Sequence, residues 1–209
     1  MYTCDLCKDK NCRIGDIEKY PKNCPTRELD NIDKLKSLYC DEENHTISYN
    51  SALVESEGYC RKTRIEEIMD FATKCNFKKL GLAFCSGLAN EGKILSKILR
   101  ANGFEVISVI CKNGSIPKEF IGIKEDEKVR PGNYEAMCNP IGQAMFLNNS
   151  NTELNIVLGL CVGHDSLFFK YSEAPSTVFA VKDRVLGHNP IAALYLSEGY
   201  YKDKLYHKD

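Results

Sequence analysis

The fold of this chain is decided by residues 79–103, which read KLGLAFCSGLANEGKILSKILRANG. The first six residues are a short apolar run, typical of a buried strand, and the run ends at Cys85. Residues 88–102 carry apolar side chains at helical spacing, and Gly103 supplies the usual helix stop. The stretch therefore predicts a strand, a turn that begins with a cysteine, and a helix.

Further strands and helices repeat this pattern along the chain. The apolar runs that predict strands are residues 105–110 (EVISVI), 154–160 (LNIVLGL) and 177–181 (TVFAV). The helical patterns that follow cover residues 141–147, 163–170 and 191–196. Strands that alternate with helices predict an α/β fold, with a three-layer, Rossmann-like and mostly parallel sheet of about four or more strands.

The first third of the chain differs in character from the rest. We expect residues 1–26 to form a cysteine-rich metal-binding knuckle, because they lack the apolar periodicity that would build a core. Residues 27–76 predict a helical section that packs on the core. Residues 77–209 predict the α/β domain, which includes a second cysteine-rich site and a long Gly-, Pro- and charge-rich loop at 112–137.

Composition excludes several classes of function. The 28 basic and 29 acidic residues nearly cancel, so no global field favours nucleic acid or an anionic membrane. No apolar run approaches the roughly 18–20 residues that a membrane helix needs, and the first residues do not resemble a secretory signal. We therefore expect a cytoplasmic protein, in which thiols stay reduced and clustered cysteines bind metal or act in catalysis.

Four of the eleven cysteines lie close together at the start of the chain. Cys4 and Cys7 can reach one ion from a tight turn, and Cys12 and Cys24 can complete a tetrahedral set. Zinc and iron–sulfur clusters both take such ligands, and the spacing matches neither common ferredoxin pattern, so the metal stays open. In the alternative interpretation only some of these thiols bind and the others are ordinary small residues.

A second group of cysteines occurs where predicted strands end. Cys85, Cys111 and Cys161 each follow a strand, and Cys138 precedes a helix that begins at the same edge of the sheet. Ligands bind in parallel sheets beyond the carboxyl ends of the strands, so these thiols should converge on one place, within reach of His164. They would hold a metal or cluster. The alternatives are simple packing of cysteine, or one nucleophilic thiol activated by a helix N-terminus or by His164.

Polar residues follow the fourth predicted strand at the same edge. Lys182, Asp183 and Arg184 are candidate catalytic residues there, since they could bind an anionic substrate or tune a nearby thiolate. The alternative is a solvated loop of mixed charge. The chain has no dinucleotide fingerprint and no phosphate-binding loop, so no nucleotide cofactor is expected.

Three long motifs carry a resemblance to a known family. They are residues 138–144 (CNPIGQA), 159–166 (GLCVGHDS) and 181–190 (VKDRVLGHNP). With these motifs and the N-terminal cysteines, nearly the whole chain resembles the uncharacterised metal-binding proteins of bacteria and archaea, domain-of-unknown-function family 1847. The resemblance implies a cysteine-rich protein that binds metal and leaves its reaction open.

These observations support two functions from different classes. In the first, the protein carries an N-terminal four-cysteine site and a second site of zinc or an iron–sulfur cluster, such as 4Fe–4S, and handles redox or sulfur chemistry. Cys85, Cys111 and Cys161 would hold the cluster, Cys138 or His164 would complete it, and a small molecule or redox partner would bind beside it. In the second, a zinc-stabilised binding or adaptor protein does no chemistry. Whether the chain is an enzyme stays open, and an edge strand could pair in a homodimer.

Overall fold

A computed structural model of the chain describes residues 1–206, apart from the side chains of residues 29 and 31. It divides into two compact units, Met1–Tyr59 and the part from Cys60 onward.

The first unit combines short turns with two helices. Its 3-10 turns are Cys4–Leu6, Asn11–Arg13, Ile17–Lys19 and Pro25–Arg27, and its helices are α1 (Leu29–Leu38) and α2 (Glu42–Gly58). Asp41 caps α2 by accepting hydrogen bonds from the backbone of Glu43 and Asn44, each at 3.1 Å. Among the described side chains of this unit, the buried apolar ones are Tyr20 and Val54. The turns are therefore held mainly by their own hydrogen bonds rather than by a core.

The second unit is built on a four-stranded sheet. Its strands are β1 (Lys79–Phe84), β2 (Glu105–Ile110), β3 (Leu154–Leu158) and β4 (Ser176–Ala180). Their order is β2-β1-β3-β4, and every neighbouring pair is parallel. All four carboxyl ends consequently meet at one edge of the sheet.

Helices cover both faces of this sheet. They are α3 (Arg64–Lys74) and α4 (Ala89–Ala101) on one face and α5 (Pro140–Asn149) and α6 (His164–Tyr171) on the other, and two short helices, α7 (Ile191–Tyr195) and α8 (Lys202–Leu205), follow β4 along the chain. On one face, Leu82 and Ile156 pack with apolar residues of α3 and α4. On the other, Ala83 and Val157 pack with α5 and with Phe168 of α6. The predicted α/β fold with a parallel sheet between helical layers is confirmed.

Two details differ from the sequence expectation. The third strand ends at Leu158 rather than at residue 160, because Gly159 takes a positive φ of 65° that no strand continues. The fourth strand lies one residue earlier than expected. Within residues 1–206 no helix has the length and apolar character needed to cross a bilayer.

Candidate functional site

The structure brings four distant cysteines to the carboxyl edge of the sheet. Cys85 and Cys111 directly follow β1 and β2, Cys161 lies three residues beyond β3, and Cys138 lies two residues before α5. They line a narrow space that we call the thiol crevice. Its sulfur-bearing and polar lining residues are Cys85, Cys111, Cys138, Cys161, Gln143 and His164.

Backbone hydrogen bonds fix the positions of these cysteines. The amide of Cys85 donates to the carbonyl of Leu158 at 3.1 Å, and that of Cys111 donates to the carbonyl of Phe84 at 2.9 Å. The amide of Asn139 donates to the carbonyl of Cys111 at 2.7 Å, which ties the start of α5 to the end of β2. The hydrogen-bond ladder thus continues one residue past β1 and β2, into the crevice.

The thiols interact with one another in a chain. Cys85 donates to Cys111, and this hydrogen bond, with burial, raises the pKa of Cys85 to about 12. Cys111 donates to Cys138, and this bond, together with the nearby ammonium of Lys112, lowers the pKa of Cys138 to about 6. The amide of Ser86 donates to the sulfur of Cys111 at 3.2 Å. The crevice therefore stabilises negative charge at its Cys138 end.

Two cations contact sulfur at the border of the crevice. The ammonium of Lys112 lies 3.5 Å from the sulfur of Cys138, and the guanidinium of Arg184 lies 3.1 Å from that of Cys161. The Cys161 contact raises the pKa of Arg184. The Lys112 contact helps to lower the pKa of Cys138.

Two polar atoms of the crevice residues lack a partner. Within residues 1–206 the buried side-chain atoms without a hydrogen bond are the Oγ of Ser96, the Oε1 of Gln143 and the Nδ1 of His164. The last two belong to residues that line the thiol crevice. Leaving a buried polar atom unpaired costs roughly 1–3 kcal/mol, so the Oε1 of Gln143 and the Nδ1 of His164 are candidate contacts for a bound group.

The sulfurs are not arranged around one ion as they stand. In the described part of the chain, no group of three or more His, Cys, Asp or Glu side chains is placed so that it could hold a metal ion. Cys111 instead forms hydrogen bonds with Cys85 and Cys138. Metal ligation by these residues stays a prediction.

A larger cavity of about 730 Å³ opens beside the crevice, and we call it the cationic cavity. Its charged lining residues are Lys112, Arg130, Glu135, Lys182 and Arg184, and Cys85, Cys138 and Cys161 also contribute to its wall.

One wall of the cationic cavity comes from the long loop 112–137. Lys128 organises this loop, because its ammonium pairs with Glu119 at 2.6 Å and with Glu125 at 2.7 Å. Lys118 pairs with Glu135 across the same loop. Ion pairs between residues of the loop therefore stabilise its conformation.

The three predicted polar residues after β4 have different surroundings. Lys182 and Arg184 line the cationic cavity. Asp183 lies outside that lining and has a turn-forming role, since its carboxylate accepts hydrogen bonds from the backbone of Val185 at 2.9 Å and Leu186 at 2.8 Å. This turn positions Arg184 against Cys161.

Sequence reasoning missed Lys112, Arg130 and Gln143. Lys112 directly follows the strand-end Cys111, so its position along the chain already pointed to the site. Gln143 lies on the face of α5 toward the sheet, and its amide nitrogen donates to the carbonyls of Phe84 at 3.2 Å and Val109 at 2.7 Å. The sequence signal that could have identified Gln143 is its polar side chain on an otherwise apolar face of the helix.

The first unit brings together three of the four N-terminal cysteines. Cys4, Cys7 and Cys24 line a small cavity with Asn23. A tight turn joins the first two, since the amide of Cys7 donates to the carbonyl of Cys4 at 3.2 Å. Cys12 lies on the turn Asn11–Arg13, outside the lining of this cavity.

Comparisons with known proteins give a family without a recorded activity. A family model described as "Protein of unknown function (DUF1847)" matches residues 24–179, which include all four cysteines of the thiol crevice. The chain is also similar to "Uncharacterized protein MJ0455" of Methanocaldococcus jannaschii, with 48% identity over 202 residues and 97% of each chain covered. No solved structure matches the chain.

Proposed function

Because the chain belongs to the DUF1847 family, whose description assigns no activity, we propose a function from the site itself. The protein is a metalloprotein whose thiol crevice holds zinc or an iron–sulfur cluster. The cationic cavity beside it admits a small molecule for redox or sulfur chemistry.

One observation carries this proposal. Four cysteines from separate segments line one crevice together with His164, whose buried Nδ1 has no partner among the described residues. Thiolate and imidazole are the ligands that zinc and iron–sulfur centres take in proteins. A bound metal would also satisfy the unpaired imidazole nitrogen. The donor set therefore fits such a group.

The ligand roles follow from how each residue is held. Cys85, Cys111 and Cys161 would hold the metal or cluster, and Cys138 or His164 would complete its shell. When bound, a cluster with an open iron would supply redox or Lewis-acid chemistry, whereas a closed zinc site would be structural. Ligands must be deprotonated, so metal loading would release the protons of the ligand thiols.

The chain's own cations support such a centre. Lys112 and Arg184 lie next to the sulfurs of Cys138 and Cys161, so they would balance the charge of the ligand thiolates. They would also hold those two sulfurs in place, as residues around a metal's ligands commonly do.

The first unit supports a second, structural metal site. Cys4, Cys7 and Cys24 share a cavity, and Cys12 would join them by movement of its exposed turn. Only Tyr20 is buried among the described apolar side chains of the first 28 residues, so a metal would supply much of this segment's folding energy. This observation favours the alternative function, a zinc-stabilised binding or adaptor protein without chemistry, for this unit.

Anaerobic purification followed by metal and sulfide analysis tests the proposal. Broad absorbance near roughly 400 nm with stoichiometric iron and sulfide would indicate a cluster, and a colourless protein with zinc would indicate the alternative. Cys161→Ser and Cys4→Ser should each lose one metal centre, because each removes a ligand from a different site. Cys60→Ser is the matched control, since Cys60 is exposed and outside both cavities. Metal content that Cys161→Ser and Cys111→Ser leave unchanged would refute the crevice site.

A further inference from the structure

The cationic cavity carries more positive charge than its acidic residue can balance. Four cations line it, namely Lys112, Arg130, Lys182 and Arg184. The acidic residue of its wall, Glu135, is already paired with Lys118 and accepts the backbone amide of Arg130 at 2.7 Å. Glu135 therefore does not neutralise the four cations of the cavity wall.

The four cations divide into two pairs. Lys112 and Arg184 contact the sulfurs of Cys138 and Cys161. The side chains of Arg130 and Lys182 have no hydrogen bond or carboxylate partner within residues 1–206. A cation that faces a cavity without a counter-ion is a binding group for anions.

Charge balance sets the class of ligand. Where Cys138 is the fourth ligand of the proposed centre, a divalent metal held by four thiolates retains two negative charges, which Lys112 and Arg184 would balance. Two positive charges then remain, on Arg130 and Lys182. We propose that the cationic cavity binds a small molecule with two negative charges, a dicarboxylate or a phosphate monoester, through these two residues. The inference deepens the proposed function and rests on it for the charge of the thiol centre.

The size and surroundings of the cavity agree with such a ligand. Its volume of about 730 Å³ lies within the range of roughly 300–1,000 Å³ that small-molecule sites span. Ser86, Asn133 and Tyr134 also contribute to the lining, and their polar groups suit carboxylate or phosphate oxygens.

Lys182 would place one end of the ligand beside the thiols. A Cβ built on Gly87 would lie 3.8 Å from the ammonium of Lys182 and 3.9 Å from the sulfur of Cys85. Both groups therefore lie close to this glycine. A Cβ added to Gly159 would lie 3.6 Å from the same ammonium, so Lys182 also lies close to this glycine. An anion paired with Lys182 would therefore touch the mouth of the thiol crevice.

Calorimetric titration of the reduced full-length protein at low salt tests this inference. The probes are succinate and inorganic phosphate as dianions and acetate as a monoanion. We expect one or both dianions to bind at least about tenfold more tightly than acetate, because each charge-assisted contact is worth about that factor or more. Arg130→Gln and Lys182→Gln should each weaken dianion binding about tenfold. Lys97→Gln, which removes an exposed cation of α4, should leave it unchanged.

Charge-retaining variants distinguish the loss of a charge from the loss of the fold. Arg130→Lys and Lys182→Arg should keep most of the dianion affinity, and circular dichroism should match the wild type for all variants. No binding of either dianion, equal binding of acetate, or equal losses in Lys97→Gln and Lys182→Gln would each overturn the inference.

Metal analysis of the same samples separates the two proposals. If metal-loaded protein binds neither dianion, the dianion site is refuted and the proposal of a metal centre is unaffected. Metal-free protein that binds dianions through Arg130 and Lys182 supports the dianion site while the metal proposal fails.

Discussion

The guanidinium of Arg184 donates a hydrogen bond to the sulfur of Cys161 at 3.1 Å. The two residues come from the turns that follow neighbouring strands, β3 and β4. Asp183 shapes the second turn by accepting two backbone hydrogen bonds, so Arg184 is held in place by its own loop. This contact joins the fourth strand to the thiol crevice.

Loss of Arg184 should weaken metal binding without removing a ligand. We expect Arg184→Gln to lower metal affinity by about 10–100-fold, the usual effect of losing a group that supports a ligand. Competition with a coloured chelator measures this affinity, and Arg184→Lys should lie between the two proteins because it keeps the charge. Equal affinity of all three proteins would show that the contact does not support a metal.

Cys138 should react with an alkylating agent at a lower pH than Cys85 does in metal-free protein. Its pKa is lowered to about 6, so alkylation by iodoacetamide should rise through pH 6 and level off above it. Cys85, with a pKa raised to about 12, should stay unreactive at neutral pH. Peptide mass spectrometry after timed labelling follows both sites.

A lysine variant tests the cause of that reactivity. Lys112→Met should move the Cys138 midpoint upward, because the ammonium stabilises the thiolate. An unchanged midpoint would assign the effect to Cys111 alone.

Glu153 should make stability depend on pH in the acid range. Its carboxylate accepts the amides of Lys78 and Lys79, each at 2.7 Å, and these hydrogen bonds lower its pKa. A lowered pKa stabilises the fold above the unfolded value of about 4.3, and this stabilisation is lost as pH falls through the folded value. Urea titrations should therefore show Glu153→Gln less stable than wild type near neutrality and equal to it in strong acid.

An exposed carboxylate provides the control for this measurement. Glu173→Gln should follow the wild-type pH curve, since Glu173 is exposed and its carboxylate has no such backbone contacts in the described residues. A constant difference between Glu153→Gln and wild type at every pH would contradict the assignment.

Gly159→Ala should destabilise the protein more than Gly103→Ala. Both glycines have positive φ, 65° and 90°, so each alanine should cost about 1–2 kcal/mol in backbone strain. At Gly159 the new Cβ would also lie 2.2 Å from the Cδ1 of buried Leu88, which should add about 1–3 kcal/mol, whereas Gly103 has open space. Free energies of unfolding from urea titration give the comparison. Equal losses would mean that Leu88 moves aside freely.

The fold could be predicted from sequence wherever an apolar run has clear ends. β1 and β2 match their predicted bounds because each run begins at a charged residue, Lys79 or Glu105, and is followed by a cysteine. β3 was predicted too long, since Gly159 and Leu160 look like strand residues until the positive φ of the glycine is known. The short α8 (Lys202–Leu205) was missed because it carries no apolar stripe.

The cysteines of the site could be predicted from the sequence, whereas the residues that the loop 112–137 contributes could not. Parallel strands bring their carboxyl ends together by geometry alone, so Cys85, Cys111 and Cys161 had to converge once the strands were right. Arg130 reaches the same place only through the path of the loop 112–137. That path depends on ion pairs such as Lys128 with Glu119, which leave no periodic trace in the sequence.

The anchoring of α5 has a consequence for how the chain would respond to a chelator. The amide of Asn139 and the side chain of Gln143 fasten the helix start to the ends of β1 and β2, so the spacing of Cys111 and Cys138 needs no ligand to maintain it. The N-terminal turns are linked by side-chain hydrogen bonds, such as that from the amide of Asn23 to the hydroxyl of Thr3 at 2.7 Å, and among their described apolar side chains Tyr20 is the buried one. If the proposed metals bind, a chelator should leave the spacing of the α/β domain's cysteines unchanged, and the N-terminal turns should become the more sensitive of the two to limited proteolysis.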